Sequence, residues 1–498
     1  MRKILERRRE EGTLRELRTP EQDRCFVDFT SNDYLGLGRS TDLRQATELE
    51  EARARKVRCE EASISFRSPL CCVYVKIDDY YCALCRPIGT ETKLGVSTPT
   101  ASRGRGRSGG IDGGDDVPVV GSGGSRLLSG NSWYAEDLEL WIAGFHKRQS
   151  ALLFNSGYDA NLGLMSCLPQ PGDAVVCDEL VHNSVRMGCR LGRQEETVLF
   201  RHNDVNHLKT VLRDLRSQER LRGRRSNIFV AVESVYSMDG DLAPLSEILH
   251  VCGKHEASVI VDEAHGTGVF GDRGRGLVSA LNLEDHPALL ASMHSFGKAF
   301  GAHGAVVVGS ATLKEFLVNY ARPLIYSTSL PLHSLACIRA AYVMQAAADD
   351  RRRRVLDLAD RFQSLLADSN TTDGTVPLDA TAIPRHRSPI QPVLVAGNDR
   401  SLRVAESLRA LGFDVRAIRK PTVAEGTERL RITLHSYNTD AEVESLTHHI
   451  RRLAAQPVGA TAPGVDRPTT ARVARSRPVD VADSTTSRLL GQSTRARL

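Results

Sequence analysis

Short apolar runs alternate with helical patterns across residues 119–333. The clearest runs are residues 151–154, 174–176, 228–232, 259–261 and 305–308. Their side chains are apolar at successive positions, which predicts strands buried on both faces of a parallel sheet. The helical patterns between them predict an α/β fold in which helices cover both faces of that sheet. Such open sheets bind ligands at the carboxyl ends of their strands.

A different pattern follows in residues 334–456. Residues 401–411 form an amphipathic helix that Gly412 ends, and residues 430–434 predict a short strand. A second helix begins at Asp440, with apolar positions at helical spacing. This mixture predicts a smaller α+β domain at the carboxyl side of a large domain that spans residues 119–333.

Three segments stand outside these two domains. Residues 1–45 predict an N-terminal arm, and residues 457–498 are rich in Pro, Ala, Thr and Arg, which predicts a disordered tail. Residues 46–118 are an atypical insertion, predicted to be disordered. Three explanations of the insertion are open: a surface segment without a catalytic role, a translated intron, or a zinc site built on Cys82 and Cys85.

Composition narrows the class of protein. The chain has 498 residues, of which 41% are hydrophobic and 26% are charged, as in ordinary globular proteins. A net charge of +5 does not indicate a nucleic-acid partner. No apolar run approaches the ~18 residues of a membrane span. The 11 scattered cysteines favour reduced thiols inside a cell.

A carboxylate and a lysine in this setting indicate a particular chemistry. Asp262-Glu263-Ala264-His265 closes a buried run, and Lys298 follows Asp262 by 36 positions, with Ser295 and Gly297 before it. The lysine can hold pyridoxal phosphate covalently, the aspartate can pair with its ring nitrogen, and the serine can hold its phosphate. The same four letters also name a helicase box, but the phosphate loop that a helicase needs is absent from the sequence.

The surrounding strings resemble the α-oxoamine synthases, which are pyridoxal-phosphate enzymes of fold type I. The resemblance covers residues 28–40 and 119–456, and its strings are Ser31-Asn32-Asp33-Tyr34-Leu35-Gly36-Leu37, Gly121-Ser122-Gly123-Gly124-Ser125-Arg126-Leu127-Leu128-Ser129-Gly130-Asn131, Ser237-Met238-Asp239-Gly240-Asp241, residues 262–265, and Tyr326-Ser327-Thr328-Ser329-Leu330-Pro331. It implies a large domain with a mainly parallel seven-stranded sheet and a small α+β C-terminal domain.

The resemblance also implies roles for individual residues. Lys298 would hold the coenzyme and move the substrate's α-proton, with Asp262 on the ring nitrogen. His182 would stack on one ring face and Ala264 would pack on the other. His265 and Ser237 would hydrogen-bond the ring oxygen. The implied phosphate contacts are Ser295, Gly157, Tyr158 and, from a second subunit, Thr328; the implied substrate contacts are Arg431 and Asn32.

These enzymes condense an amino acid with an acyl-CoA and release CO2. The string at residues 121–131 most resembles the branch that joins L-alanine to pimeloyl-CoA in biotin synthesis, as a homodimer with its active site at the subunit interface. Alternatives are 5-aminolevulinate synthase, a synthase of secondary metabolism, and a catalytically inactive partner subunit. Ala496-Arg497-Leu498 resembles the Ser-Lys-Leu peroxisomal address. We therefore expect a peroxisomal or a cytoplasmic protein.

Overall fold

The computed structural model describes residues 5–8, 26–63, 120–223, 225–368 and 386–454. Most of the predicted insertion, with Cys82 and Cys85, and the predicted tail, with Ala496-Arg497-Leu498, lie outside these ranges. The strands are β1 (Val27–Asp28), β2 (Ser150–Phe154), β3 (Ala174–Asp178), β4 (Glu196–Phe200), β5 (Ile228–Glu233), β6 (Ser258–Asp262), β7 (Leu289–Ser295), β8 (Ala305–Gly309), β9 (Ile390–Leu394), β10 (Phe413–Asp414), β11 (Arg416–Ile418) and β12 (Arg429–Thr433).

Thirteen helices in the described ranges carry labels here. They are α1 (Thr41–Ser63), α2 (Trp133–Phe145), α3 (Gly157–Cys167), α4 (Asn183–Leu191), α5 (Val205–Arg222), α6 (Leu245–Lys254), α7 (Leu277–Ala280), α8 (Ala311–Tyr320), α9 (Arg322–Ile325), α10 (Leu332–Ala346), α11 (Asp349–Ala367), α12 (Asn398–Ala410) and α13 (Asp440–Ala454). None of the helices in this part of the chain is both long and apolar enough to cross a membrane.

The large sheet has seven strands in the order β2-β8-β7-β6-β5-β3-β4. The α/β prediction with a mainly parallel sheet is confirmed, but β8 runs antiparallel to both β7 and β2. The prediction that residues 305–308 form a parallel strand was therefore wrong. Nine residues (296–304) join β7 to β8. A parallel crossover needs about a dozen or more, so the chain returns in the opposite direction.

Successive residues of the central strands enter different cores. Val175 and Cys177 pack on one side of the sheet, whereas Ala174 and Val176 pack on the other. Helices supply the second half of each core, with α3 and α4 on the first side and α5 and α6 on the second. Burial on both faces explains why these strands are apolar at successive positions.

The smaller sheet is antiparallel, in the order β11-β12-β9. Helices α11, α12 and α13 cover it and share its core, which contains Phe362, Leu408, Leu430 and Ile450. Helix α12 ends before Gly412, whose φ of +98° suits a residue without a Cβ. Helix α10 lies beyond the predicted boundary at residue 333, yet its side chains belong to the core of the large domain.

Helix α1 crosses the predicted start of the insertion at residue 46. Leu43, Thr47 and Ala54 are buried, so one face of this helix packs on the protein. The prediction of disorder from residue 46 was therefore wrong for residues 46–63. Their highly charged composition concealed a narrow buried stripe.

Candidate active site

Three carboxyl ends of parallel strands meet at one edge of the large sheet. Glu233 ends β5, Asp262 ends β6, and the register pairs these two residues directly. Ser295 ends β7, and Asp262 pairs with Met293 on that strand. The topology thus brings the predicted carboxylate and the predicted phosphate serine to the same edge.

Lys298 lies in the loop that follows β7, over this edge. Burial lowers the pKa of its amine below the usual 10.5, opposed by the negative charges of Asp262 and Glu233. The positive charge of Arg431 adds to the lowering. Asp262 ends β6 and Lys298 follows β7, the neighbouring strand, so both lie at the carboxyl edge of the sheet. A lysine with a lowered pKa is more readily the neutral amine that attacks an aldehyde or accepts a proton.

Both oxygens of Asp262 are held by donors. Its Oδ2 accepts a hydrogen bond of 2.7 Å from Asn161 Nδ2, and its Oδ1 accepts one of 2.9 Å from the Ala264 amide. The carboxylate is only 6% exposed. Donors on both oxygens fix the orientation of this carboxylate.

His182 directly precedes α4 and caps the start of that helix. Its Nδ1 accepts the Ser184 backbone N–H at 3.2 Å and lies 2.7 Å from the Ser184 hydroxyl. Because Nδ1 is the acceptor, the hydrogen of the neutral ring lies on Nε2. Burial lowers the pKa of His182, opposed by Asp262 and assisted by Lys298. The neutral form of the His182 ring is therefore favoured, and the ring feels the charges of Lys298 and Asp262.

His265 is buried in the same cluster. Its Nδ1 lies 2.6 Å from the hydroxyl of Tyr34, a residue of the arm to which we assign no role from sequence. Burial lowers the pKa of His265 well below its usual value, and the charges of Lys298 and Arg431 add to the effect. Ala264, next to it, is also buried.

Arg431 enters the site from β12 of the smaller sheet. Its guanidinium donates to Asn32 Oδ1 at 3.1 Å, to the Ser237 carbonyl at 2.7 Å and to Thr433 Oγ1 at 3.0 Å. The structure thus brings the two predicted substrate residues, Arg431 and Asn32, into contact. A guanidinium oriented by three acceptors is pre-organised to bind a carboxylate.

Glu233 is a buried acid that the sequence motifs do not identify. It is 2% exposed, its Oε2 accepts the Ser237 amide at 3.2 Å, and its Oε1 has no partner. Burial raises the pKa of this carboxyl well above its usual range, and the charge of Asp262 raises it further. Glu233 ends an apolar run in the sequence, which is the same signal that marks Asp262.

Of the residues predicted to contact the phosphate, Ser295, Gly157 and Tyr158 form one group and Thr328 is separate from it. Helix α3 begins at Gly157, as predicted, and a Cβ on Gly157 would lie 3.4 Å from the Cβ of Ser295. Tyr158 follows in the same first turn, whose N–H groups suit an anion. Thr328 is exposed, and its carbonyl accepts from Asn155 Nδ2 at 2.8 Å. Its predicted reach into a second subunit stays a prediction.

Taken together, the residues fit pyridoxal phosphate. Asp262 would be available to a ring nitrogen, Lys298 lies at the same edge of the sheet, and the first turn of α3 lies next to Ser295, where Gly157 leaves room for a phosphate. The described ranges contain no group of three or more His, Cys, Asp or Glu side chains arranged to hold a metal ion. The arrangement is suited to proton transfer at a carbon made acidic by the coenzyme.

His202 fastens the loop that carries Ser237. Its Nδ1 lies 3.0 Å from Asp178 Oδ1 and its Nε2 lies 2.7 Å from Asp241 Oδ2. Burial opposes the charged ring, but the hydrogen bonds and charges of Asp178 and Asp241 prevail and raise the pKa of His202 from 6.5 to about 10. The folded protein therefore binds this proton more tightly than the unfolded chain does.

The contribution of His202 to stability is consequently complete below pH 6.5 and is lost as the pH rises through about 10. We predict that His202→Gln lowers the free energy of unfolding by about 1–2 kcal/mol at pH 6 and by much less at pH 10. Urea denaturation at both pH values measures the difference. His250→Gln, at an exposed histidine, is the control, and an equal loss at both pH values would contradict the prediction.

Comparisons with known proteins agree with this geometry. Residues 111–450 match the family described as aminotransferase class I and II. The chain is 43% identical over 336 residues to an 8-amino-7-oxononanoate synthase of Emericella nidulans, covering 66% of this chain and 80% of that protein. It is 40% identical over 325 residues to a protein of the same name from Anaeromyxobacter dehalogenans strain 2CP-1, covering 65% and 76%.

Solved structures add two likenesses. A serine palmitoyltransferase of Sphingomonas wittichii superposes with a TM-score of 0.59 at 30% identity, covering 67% of this chain and 79% of that chain. An 8-amino-7-oxononanoate synthase of Francisella tularensis gives a TM-score of 0.59 at 22% identity, covering 86% and 98%, and supports the fold alone. The chain therefore belongs to the aminotransferase class I and II family of pyridoxal-phosphate-dependent enzymes, in its α-oxoamine synthase branch.

Proposed function

We propose that this protein condenses L-alanine with pimeloyl-CoA to give 8-amino-7-oxononanoate, CO2 and free CoA, a step of biotin synthesis. The chemistry rests on one observation: Asp262, with both carboxylate oxygens hydrogen-bonded, ends β6 at the same edge of the sheet where Lys298 follows β7. The choice of substrates rests on the relatives of 43% and 40% identity, which carry the name of that synthase.

The chain's own groups divide the work. When bound, pyridoxal phosphate supplies an electron sink for the carbanion at the substrate's α-carbon. Asp262 would pair with the ring nitrogen and His182 would hold the coenzyme from one side. The neutral amine of Lys298 removes the α-proton. Arg431, held by Asn32, binds the substrate carboxylate and orients the α-carbon over Lys298.

A second candidate joins L-serine to palmitoyl-CoA, because structures of serine palmitoyltransferases resemble this fold. Its support is weaker, since the identity is 30% against 43% for the first candidate. A third pair is glycine with succinyl-CoA. The three pairs differ in the side chain of the amino acid and in the length and charge of the acyl chain.

Release of CoA from a panel of these substrate pairs tests the proposal. We expect turnover with L-alanine and pimeloyl-CoA to exceed that of either other pair by at least about tenfold in kcat/KM. Exclusive use of glycine and succinyl-CoA, or of L-serine and palmitoyl-CoA, would overturn the assignment. No turnover with any pair, from protein that binds the coenzyme, would favour the inactive partner subunit.

The protein also acts, we propose, as a homodimer and in peroxisomes. Leu128 and Tyr326 are 85% and 80% exposed beside the loop of Thr328, which is consistent with an apolar subunit contact there. Sedimentation equilibrium measures whether the mass is that of two chains. Microscopy of a tagged chain with and without Ala496-Arg497-Leu498 decides between peroxisomal and cytoplasmic location.

A further inference from the structure

One polar side chain in the middle of α3 points inward rather than to solvent. Asn161 is 1% exposed and lies between apolar neighbours of a buried helix. Its Nδ2 amide donates to Asp262 Oδ2 at 2.7 Å and to Ser184 Oγ at 3.1 Å. The two hydrogens of this amide are thus used by two different residues.

The second of these contacts continues to the stacking histidine. Ser184 is fully buried, and its hydroxyl lies 2.7 Å from His182 Nδ1. Because its oxygen accepts from Asn161, the Ser184 hydroxyl hydrogen is free to donate to Nδ1. A continuous path therefore runs from the carboxylate of Asp262 through Asn161 and Ser184 to the ring of His182.

We propose that Asn161 is a positioning residue for pyridoxal phosphate, which orients Asp262 below the coenzyme ring and, through Ser184, His182 on the ring face. Its amide hydrogens are bonded to Asp262 and Ser184, so it acts through these two side chains. The inference rests on the coenzyme and not on the identity of the two substrates.

An amide suits this position for a chemical reason. Its NH2 group donates to an anion on one side and to a hydroxyl oxygen on the other, and it does not titrate. An aspartate of the same shape would place a second carboxylate against Asp262. Two carboxylates in contact do not both stay ionised, so the proton affinity of Asp262 would rise.

The test uses the full-length protein, from which pyridoxal phosphate is removed and then titrated back. We expect Asn161→Asp to weaken coenzyme binding by about tenfold or more, the effect of losing one hydrogen bond to a charged group. We also expect the pH midpoint of the coenzyme's visible absorption to move by about one pH unit. Asn319→Asp, at an exposed position of α8, is the matched control and should change neither quantity.

Ser184→Ala separates the effect of Asn161 on Asp262 from its effect on His182. It removes the contact to the His182 side and leaves the bond from Asn161 to Asp262, so the absorption midpoint should stay near that of the parent while coenzyme affinity falls by less than in Asn161→Asp. If Asn161→Asp does not fold by circular dichroism, Asn161→Ser replaces it under the same criteria. Parental affinity and an unmoved midpoint in the folded Asn161 variant would overturn the proposal. A midpoint shift in Ser184→Ala as large as that in Asn161→Asp would overturn it as well.

Discussion

Lys298→Ala is expected to lower turnover by about a thousandfold or more and to abolish covalent attachment of pyridoxal phosphate. The alanine variant loses both the amine that holds the coenzyme and the base that removes the α-proton. CoA release measures turnover, and mass spectrometry after borohydride reduction measures attachment. Added methylamine should restore part of the activity, because a free amine can enter the space of the missing side chain.

Lys254→Ala is the matched control, since Lys254 is an exposed lysine at the end of α6. It should retain parental turnover and coenzyme content. Retention of more than about a tenth of turnover by Lys298→Ala would contradict the assignment of Lys298 as the essential base.

Asp262→Asn is expected to lower kcat by about a hundredfold or more, the effect of removing one pre-organised charge from an active site. The variant keeps the size of the side chain but removes the anion that holds the ring nitrogen protonated. A coenzyme analogue methylated on that nitrogen carries a fixed positive charge. It should therefore restore part of kcat in Asp262→Asn and give no gain in the parent.

Asp285→Asn, at an exposed aspartate, provides the control for charge removal far from the site. The decisive comparison is between the two coenzymes in one variant. If the methylated coenzyme restores nothing, or if Asp262→Asn turns over at the parental rate, ion pairing to the ring nitrogen is not the role of Asp262.

The fold could be predicted where burial on both faces of the sheet requires apolar residues at successive positions. Residues 228–232 and 259–261 are apolar throughout because both faces of the sheet are covered, and the strands lie there. The direction of β8 was not readable from its own residues, because apolar strands look alike in either direction. Only the length of the loop after β7 carries that information.

Only some residues of the site could be identified from the sequence. Asp262 and Lys298 stand out through local strings, and Arg431 was found through resemblance, since a strand arginine alone is an ordinary surface residue. Glu233 and Asn161 were missed. An asparagine within a helix carries no periodic signal, and its role depends on Asp262, which lies 101 positions later in the chain.

Residues 27–36, within the N-terminal arm, are the part of the site nearest the start of the sequence. The residues that they contact lie near the end of the described chain. Thr30 donates to the Asp414 carbonyl 384 positions later, and Asn32 accepts from Arg431 399 positions later. On a ribosome, this arm must wait until nearly all of the two domains has been synthesised. Because closure between such distant residues is slow and entropically costly, we expect the contact between Asn32 and Arg431 to form late in folding. A chain truncated before β12 would lack Arg431 and therefore its contact with Asn32.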